Sequence, residues 1–271
     1  MWSTIRSRSG IVSDLLTAKD LRVSPISRRD ADAVIRKLHY SHKVVVNSQL
    51  HLGVFLGTRL EGAMQFGPSL DRRKLLGLVE ATPWNGFLEL NRLAFSDNLP
   101  RNSESRALGV ALRLIRRQYQ QVEWIVSFAD ATQCGDGTIY RAAGFLLTRI
   151  KRNTTLWGGP DGTVISNIGE RTSMKKIQAT AARTAYKGGA DMSHYKALGF
   201  KPLEGFQLRY IYFTQPEARA RLTVPVIPYS EIRQVGAAMA RGKRVGSIPA
   251  ETTVLNRTGE GGSTPTPTLQ D

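Results

Sequence analysis

The chain has 271 residues, enough to bury the core of one large domain or two small ones. Its 38 Lys and Arg residues against 22 Asp and Glu residues give a formal charge of +16, so the first partner to expect is a polyanion such as nucleic acid. The single cysteine, Cys134, excludes an internal disulfide framework and a cluster of thiolate metal ligands. No apolar run approaches the roughly 20 residues that span a bilayer, so we expect no contact with a membrane.

Apolar strand patterns alternate with helical patterns, which predicts an α/β or mixed α+β fold. In chain order we predict a strand at 21–26, a helix capped by Ser27 and ending near Leu38, strands at 50–56 and 60–66, a strand at 87–95, a helix at 103–119, a strand at 123–128, a helix at 136–143 and a strand at 145–150. The helix at 103–119 is amphipathic, with five apolar residues on its inner face: Ala107, Val110, Ala111, Leu114 and Ile115.

The chain divides into an N-terminal extension (1–20), one compact domain (21–229) and a tail (230–271) that is first basic and then rich in Gly, Pro and Thr. The tail is predicted to be flexible, and its basic run of Arg241, Lys243 and Arg244 is either solvated or in contact with phosphates. Residues 172–221 carry nine basic residues against three acidic ones, which favours a polyanion-binding face there.

A six-residue pattern occurs twice, as Tyr-Arg-Ala-Ala-Gly-Phe at 140–145 and as Tyr-Lys-Ala-Leu-Gly-Phe at 195–200. Each copy joins a helix end to a glycine that stops the helix. The sequence therefore predicts a similar local structure at both places.

The order of a strand, an Arg-bearing loop with a helix, a strand and then Tyr-x-Ala-x-Gly-Phe resembles the acyltransferase fold of the GNAT superfamily. A closer resemblance, over residues 36–229, is to the Mom family of phage DNA modification proteins, a divergent GNAT branch. The matching motifs are His-Tyr-Ser-His at 39–42, Leu-Asn-Arg-Leu at 90–93, Ser-Glu-Ser-Arg at 103–106, Ser-Phe-Ala-Asp at 127–130, Gly-x-Gly-Thr-Ile-Tyr at 135–140, Arg-Tyr-Ile-Tyr-Phe at 209–213 and Pro-Val-Ile-Pro-Tyr at 225–229.

The resemblance implies a GNAT-like fold with a mixed central sheet flanked by helices. It also implies an enzyme that converts adenine in double-stranded phage DNA to its N6-carbamoylmethyl derivative, in the cytoplasm of the infected bacterium. The modified base would block host restriction endonucleases. The alternatives are an ordinary N-acetyltransferase acting on a small molecule or protein and a non-catalytic DNA-binding accessory protein.

The fold implies acetyl-CoA as cofactor, bound at the start of the helix by Ser103, Ser105, Arg106 and Gly109. The segment 101–109 lacks the usual pair of glycines, however. An acetyl group contains no nitrogen, whereas a glycyl group supplies two carbons and a nitrogen for a carbamoylmethyl product. We therefore hypothesise glycyl-tRNA as the donor, which adds tRNA to DNA as a polyanionic partner.

Catalysis needs a group that removes a proton from the poorly nucleophilic adenine amine. The resemblance assigns that role to Asp130, whose alternative interpretation is an Asx turn or helix cap. Tyr140 stands where many GNAT enzymes place a proton donor, or it packs on Phe145. Ser127 either hydrogen-bonds substrate or points into the core.

His39 is a candidate for proton transfer, and His39 with His42 would share a helix face if the helix continued that far. Two imidazoles are too few for a closed metal site, so we predict no metal. Tyr40 is interpreted as a stacking surface for an extruded adenine, and Trp84 as a second one or as a wedge or core residue.

Asn91 and Arg92 interrupt an apolar strand, so at least one of them should face a polar cleft. Asn91 could pair with the edge of adenine, and Arg92 could hold phosphate or donor or form a structural salt bridge. The candidate DNA-binding residues are Lys175, Lys176, Arg183 and Lys187.

Overall fold

The computed structural model describes residues 16–166 and 192–246, apart from the side chain of His194. Within these ranges, no helix has both the length and the apolar character needed to cross a membrane. The four predicted DNA-binding residues, Lys175, Lys176, Arg183 and Lys187, lie outside the described residues.

Helices and strands alternate along the described chain, with two short 3-10 helices at Ala18–Asp20 and Pro216–Arg221. The α-helices are α1 (Arg28–Leu38), α2 (Arg72–Leu76), α3 (Ser103–Gln118), α4 (Thr138–Ala142), α5 (Ser193–Ala197) and α6 (Glu231–Gln234). The strands are β1 (Leu21–Pro25), β2 (Leu50–Leu56), β3 (Arg59–Gly67), β4 (Phe87–Phe95), β5 (Trp124–Ala131), β6 (Leu146–Arg152), β7 (Leu156–Gly158), β8 (Val164–Ser166), β9 (Lys201–Pro202), β10 (Phe206–Phe213), β11 (Met239–Ala240) and β12 (Lys243–Arg244).

The main sheet has seven strands in the order β1-β2-β3-β4-β5-β10-β6. β4 and β5 are parallel, whereas β1 with β2, β2 with β3, β5 with β10 and β10 with β6 are antiparallel. The predicted α/β class with a mixed central sheet is therefore confirmed. Two compact units share this chain, one formed by residues up to Gly67 with Asn91–Gln118 and the other by Pro68–Leu90 with the residues from Tyr119 onward.

In the first unit α1 packs its apolar face on the sheet. Ser27 caps this helix by accepting the Asp30 N–H at 3.1 Å, as the sequence predicts. Ala31 and Ile35 are fully buried against Ala63 of β3, so removing the Ile35 side chain would open a cavity in this core.

In the second unit the core forms around aromatic rings of β4 and β5. Phe87 and Trp124 are fully buried and stack with ring centroids 4.3 Å apart. Val126 and Ile211 lie in the same cluster, together with Leu75 of α2. This apolar cluster holds the amino-terminal part of β5 in place. The polar residues near the carboxyl end of β5 therefore extend from a fixed strand.

Three sequence predictions need correction in detail. β5 extends to Ala131 and not only to residue 128, so Asp130 is the second-last residue of the strand instead of following it. The inner face of α3 is centred on Ala107, Leu108, Ala111, Leu112 and Ile115, whereas Val110 and Leu114 are only half-buried. The helix predicted at 136–143 is shorter, since Gly137 adopts a left-handed φ of 84° and α4 begins after it.

The chain stays packed beyond Tyr229. Ile232 of α6 is buried, and Ala237–Met239 leads into the two-stranded β11–β12 hairpin. The flexible tail was predicted to begin at residue 230, but this segment is structured through Arg244.

Candidate active site

A first polar group, the His39 cluster, lies in the first unit and consists of His39, Tyr40, Ser41, Ser48, Asn91 and Arg92. α1 ends at Leu38, and the His39 N–H closes the helix by donating to the Ile35 carbonyl at 3.0 Å. The backbone N–H of Ser41 then donates to Nδ1 of His39 at 3.1 Å. Because a backbone N–H can only donate, Nδ1 is unprotonated and the neutral ring carries its proton on Nε2.

Burial keeps the His39 ring neutral. Burial first, and then the charges of Arg92 and His42, together lower the pKa of His39 to about 4. Within the part of the chain that the structure describes, no residue accepts the Nε2–H. Near neutral pH the Nε2 atom of His39 is thus a hydrogen-bond donor and cannot act as a base.

Tyr40 and His42 differ from His39 in exposure. The Tyr40 ring is 43% exposed and packs on the His39 ring with centroids 4.4 Å apart. It therefore offers an exposed aromatic surface beside His39. His42 has a left-handed φ of 52° and directs Nδ1 to the Arg36 carbonyl at 2.8 Å. The two histidines do not share a helix face, because α1 has ended four residues before His42.

Asn91 and Arg92 are held by neighbouring main chain and side chains. Asn91 is buried, and its Oδ1 accepts the Ser48 hydroxyl at 3.0 Å. One of the two lone pairs of this oxygen is therefore taken by Ser48. Arg92 donates from Nε to the Lys43 carbonyl at 2.8 Å and from Nη1 to its neighbour's carbonyl at 2.7 Å. Arg92 thus fastens the loop after α1 to β4.

A second polar group, the Asp130 cluster, lies in the second unit and consists of Asp130, Thr132, Gln133, Cys134, Asp136, Tyr140 and Tyr210. Asp130 is half-buried near the end of β5. Its Oδ1 accepts the Thr132 N–H at 3.0 Å, and its Oδ2 accepts the Gln133 amide at 3.3 Å. The Asx-turn interpretation therefore describes its local structure, and the residue as a whole is neither buried nor fully exposed.

Cys134 follows in the same turn, with its N–H bonded to the Asp130 carbonyl at 2.9 Å. Desolvation of the sulfur and, second, the Asp130 carboxylate raise the pKa of Cys134. The thiol stays protonated near neutral pH, so it is not an activated nucleophile.

Tyr140 packs between two rings. Its centroid lies 5.5 Å from Phe145 and 5.4 Å from Tyr210. The packing on Phe145 is therefore present, and the half-buried ring still reaches the surface of the unit. Tyr210 is fixed by its hydroxyl, which donates to the Asp136 carbonyl at 2.5 Å.

Ser127 is fully buried, and its hydroxyl donates to the Leu90 carbonyl at 3.5 Å. Of its two interpretations, the structure therefore agrees with the one in which Ser127 points into the core.

Trp84 is 56% exposed on a loop, which rules out the core interpretation. Arg72 of α2 lies over both the Trp84 and Phe87 rings, at 5.2 and 4.6 Å from their centroids. Its guanidinium also donates to the Trp84 carbonyl, and burial lowers the pKa of Arg72. Arg72 therefore holds the loop in place while the indole of Trp84 stays exposed.

The start of α3 is the predicted cofactor site. The Ser103 N–H and hydroxyl both donate to the Pro100 carbonyl, at 3.2 and 2.5 Å, and the Ser105 hydroxyl donates to the Asn102 carbonyl. Glu104 adds a carboxylate to the first turn. The hydroxyls of Ser103 and Ser105 are thus engaged by the main chain, and Glu104 places an anion in this turn, so its side chains offer little to the pyrophosphate of coenzyme A. Arg106, which donates to the Lys19 carbonyl at 3.4 Å, and Gly109 do not change this.

Metal binding has no support in the described ranges, where no group of three or more His, Cys, Asp or Glu side chains is placed to hold an ion.

Sequence analysis missed the residues that hold the turn after Asp130. The Met239 carbonyl accepts the Asp136 N–H at 3.0 Å, and the Cys134 carbonyl accepts the Gly242 N–H at 2.7 Å. The hairpin that supplies them turns at Arg241 and Gly242, which both have positive φ (49° and 72°). A two-residue turn ending in glycine is a known hairpin signal, and it could have been recognised here.

Several solved acetyltransferases align with this structure at TM-scores below 0.5. A probable acetyltransferase from Staphylococcus epidermidis aligns with a TM-score of 0.41 and 9% identity over 72% of this chain and 99% of that one. The ribosomal-protein-S18-alanine N-acetyltransferase from Escherichia coli aligns with a TM-score of 0.39 and 10% identity over 72% of this chain and 94% of that one. The strand order by itself makes the chain an α/β protein with a mixed sheet.

The sequence matches the model of the Mom protein family over residues 20–231, and the chain belongs to that family. It is 46% identical over 129 residues to the methylcarbamoylase Mom of Escherichia phage Mu. That match covers 47% of this chain and 53% of the relative, so it spans about half the length of the relative. The predicted family is confirmed.

Proposed function

We propose that this protein is a transferase that converts adenine in phage DNA to its N6-carbamoylmethyl derivative and so protects the DNA from host restriction endonucleases. The observation that carries the proposal is the family match over residues 20–231, a range that includes the His39 and Asp130 clusters. A relative from a phage is named a methylcarbamoylase. The formal charge of +16 suits a nucleic-acid substrate.

Asp130 is the proposed general base. The lone pair of the adenine amine is delocalised into the ring, so a proton must leave as the new bond forms. The hydrogen bonds from Thr132 and Gln133 fix the direction of the carboxylate, and its position near the end of β5 leaves it within reach of solvent. An Asx turn and a base are therefore compatible at this residue.

Tyr140 is the proposed acid that protonates the leaving oxygen of the donor. Its ring is held by Phe145 and Tyr210, which restricts the directions its hydroxyl can take. A positioned phenol contributes through the proton that it delivers in the transition state.

In the first unit, His39 is proposed to donate a hydrogen bond to substrate through its Nε2–H. A neutral donor is suited to an uncharged acceptor such as a carbonyl oxygen or a ring nitrogen. Tyr40 is proposed to stack on an adenine that has left the duplex, because chemistry on a paired base requires its extrusion. Arg92 positions the loop that carries both residues.

Glycyl-tRNA is the proposed donor. In the first step the adenine amine attacks the glycyl ester, an amide forms, and the tRNA hydroxyl leaves with a proton. In the second step the glycyl amine attacks ring carbon C6 through a five-membered spiro intermediate, and the bond from C6 to the amide nitrogen breaks. The nitrogen of glycine then remains on C6, and the original adenine nitrogen becomes the carbamoyl nitrogen.

The test is to incubate the purified chain with duplex DNA and tRNA charged with carbon-13, nitrogen-15 glycine, and to analyse the nucleosides by mass spectrometry. We expect a nucleoside heavier than deoxyadenosine that carries both labelled carbons and the labelled nitrogen. Fragmentation should release an unlabelled carbamoyl nitrogen. Folded protein that yields no such nucleoside here, and none in DNA from cells expressing the chain, would refute the main proposal.

The same assay separates the alternatives. Label transferred from acetyl-CoA, with no affinity for DNA, would identify an ordinary N-acetyltransferase. DNA binding without any modified base would identify an accessory protein. A modified adenine without glycine label would contradict only the proposed donor.

A further inference from the structure

A row of side chains with two like charges crosses three strands of the second unit. Arg209 of β10 lies directly opposite Phe128 of β5 on one side and opposite Arg149 of β6 on the other. Directly opposed residues on antiparallel strands point to the same face of a sheet. Phe128, Arg209 and Arg149 therefore form one row on one face, here named the Arg209 row.

The adjacent row along the strands is Asp130, Gln207 and Lys151, on the same face because each residue is two positions from its neighbour in the Arg209 row. Two residues of a strand span roughly 7 Å. The proposed base thus lies about one row away from two guanidinium groups.

Arg209 is 8% exposed although it is charged. Its Nε donates to the Thr148 hydroxyl at 3.0 Å and its Nη2 to the Thr148 carbonyl at 3.3 Å. The β10–β6 register shifts between Arg209 and Tyr210, which sets the two threonine groups beside the guanidinium. Among the residues described, no carboxylate lies within ion-pair distance of Arg209 or Arg149.

This arrangement is unfavourable by itself. A buried cation without a counter-charge is costly, and like charges directly opposite each other on a sheet repel. Burial, and then the charge of Arg149, lower the pKa of Arg209 to about 10. An anion between the two groups would remove both penalties.

Access to the row comes from its neighbours. Arg149 and Lys151 are half-buried, so both reach solvent, and Phe128 is 41% exposed despite its position inside β5. Cations beside an exposed aromatic ring match the backbone and the bases of a nucleic acid strand.

We propose that the Arg209 row binds a backbone phosphate of the polynucleotide that reacts at Asp130, with Arg149 and Lys151 in contact and Arg209 behind them. Phe128 supports a base next to that phosphate. The inference rests on the proposed function and adds a binding site to it. DNA and tRNA share the phosphodiester chemistry, and the experiment separates them.

The test compares Arg149→Gln with Arg233→Gln, which removes the same charge from an exposed position on α6 of the same unit. Fluorescence anisotropy measures the affinity of the full chain for a duplex DNA and for an uncharged tRNA at several salt concentrations. For Arg149→Gln we expect a severalfold loss of affinity and a log–log salt slope lower by about 1 for the polynucleotide that occupies the row. The polynucleotide that shows this change is the one bound there.

Arg209→Met provides a second variant, with thermal melting to establish that it folds. The site is refuted if Arg149→Gln binds both polynucleotides like the parent protein, or if Arg233→Gln loses as much. The nucleoside assay keeps the two proposals apart. Arg149-dependent binding without modified adenine refutes the function alone, and normal binding with normal modification in Arg149→Gln refutes the site alone.

Discussion

The His39 and Asp130 clusters fix a polar side chain in opposite ways. His39 is buried, neutral and oriented by a main-chain donor, whereas Asp130 stays half-exposed near a strand end and accepts two hydrogen bonds. Burial suits a group that only donates a hydrogen bond, since a charge there would be costly. A group that exchanges protons needs contact with solvent, and of the two residues only Asp130 is not buried.

The largest effect should come from removing the carboxylate of Asp130 itself. Asp130→Asn should lower the rate of adenine modification about 1,000-fold, because the amide cannot take a proton. The control is Asp161→Asn, since Asp161 makes the same Asx-turn bond to the Thr163 N–H at 3.0 Å. Equal losses in the two variants, with DNA binding retained, would mean that Asp130 has only a structural role.

The neutral state of His39 should make stability depend on pH. Its pKa of about 4 lies below the ordinary 6.5, so the unfolded chain takes up the proton first as pH falls. The contribution is fully present above about pH 6.5 and is lost as pH falls toward 4, in total about 3 kcal/mol. We expect chemical unfolding from pH 7.5 to pH 4 to show a smaller loss of unfolding free energy for His39→Gln than for the parent protein. An equal loss in both proteins would mean that the His39 ring is solvated in the folded state.

The two Tyr-to-Phe junctions supply a matched pair for Tyr140. Phe145 donates its N–H to the Tyr140 carbonyl at 3.0 Å and Phe200 to the Tyr195 carbonyl at 2.9 Å, with ring centroids 5.5 and 5.4 Å apart. Tyr140→Phe should slow modification about 100-fold, since it keeps the ring and removes the proton. Tyr195→Phe should leave the rate unchanged. Similar rates for the two variants would contradict the proposed role of Tyr140 as an acid.

The smallest effect tests how tightly the Asp130 cluster is packed. Gly137 and Gly144 have φ values of 84° and 87°, so alanine is strained at both, by about 1 kcal/mol. A Cβ at Gly137 would also lie 2.4 Å from the Tyr210 ring, whereas one at Gly144 meets nothing closer than 3.8 Å. Thermal unfolding should show Gly137→Ala about 1–2 kcal/mol less stable than Gly144→Ala; equal stabilities would indicate a loosely packed cluster.

Local patterns predicted most of the elements. β1, α1, β2, β4 and α3 begin and end within two residues of their predicted bounds, because their periodicity and caps are written in consecutive residues. The repeated junction was recognised for the same reason, and both copies adopt the same glycine-terminated geometry.

The site was predicted less completely because its geometry depends on contacts between distant residues. The sequence does not reveal that Ser48 occupies Asn91 Oδ1, or that Ser127 faces the core. Both depend on pairings more than 30 residues apart. His42 illustrates the other limit, since α1 ends at Leu38 and His39 is already extended, which removes the shared helix face on which the pairing of the two histidines depended.

The β11–β12 hairpin affects where this chain can be shortened. The family match ends at residue 231, yet the carbonyl that receives the Asp136 N–H belongs to Met239. A fragment designed on the family boundary would keep all seven strands of the main sheet and leave that buried donor without its acceptor. A fragment that keeps both of the hydrogen bonds between this hairpin and the turn after Asp130 therefore includes Gly242, and a synthetic peptide containing the hairpin is a natural candidate for restoring a shortened chain.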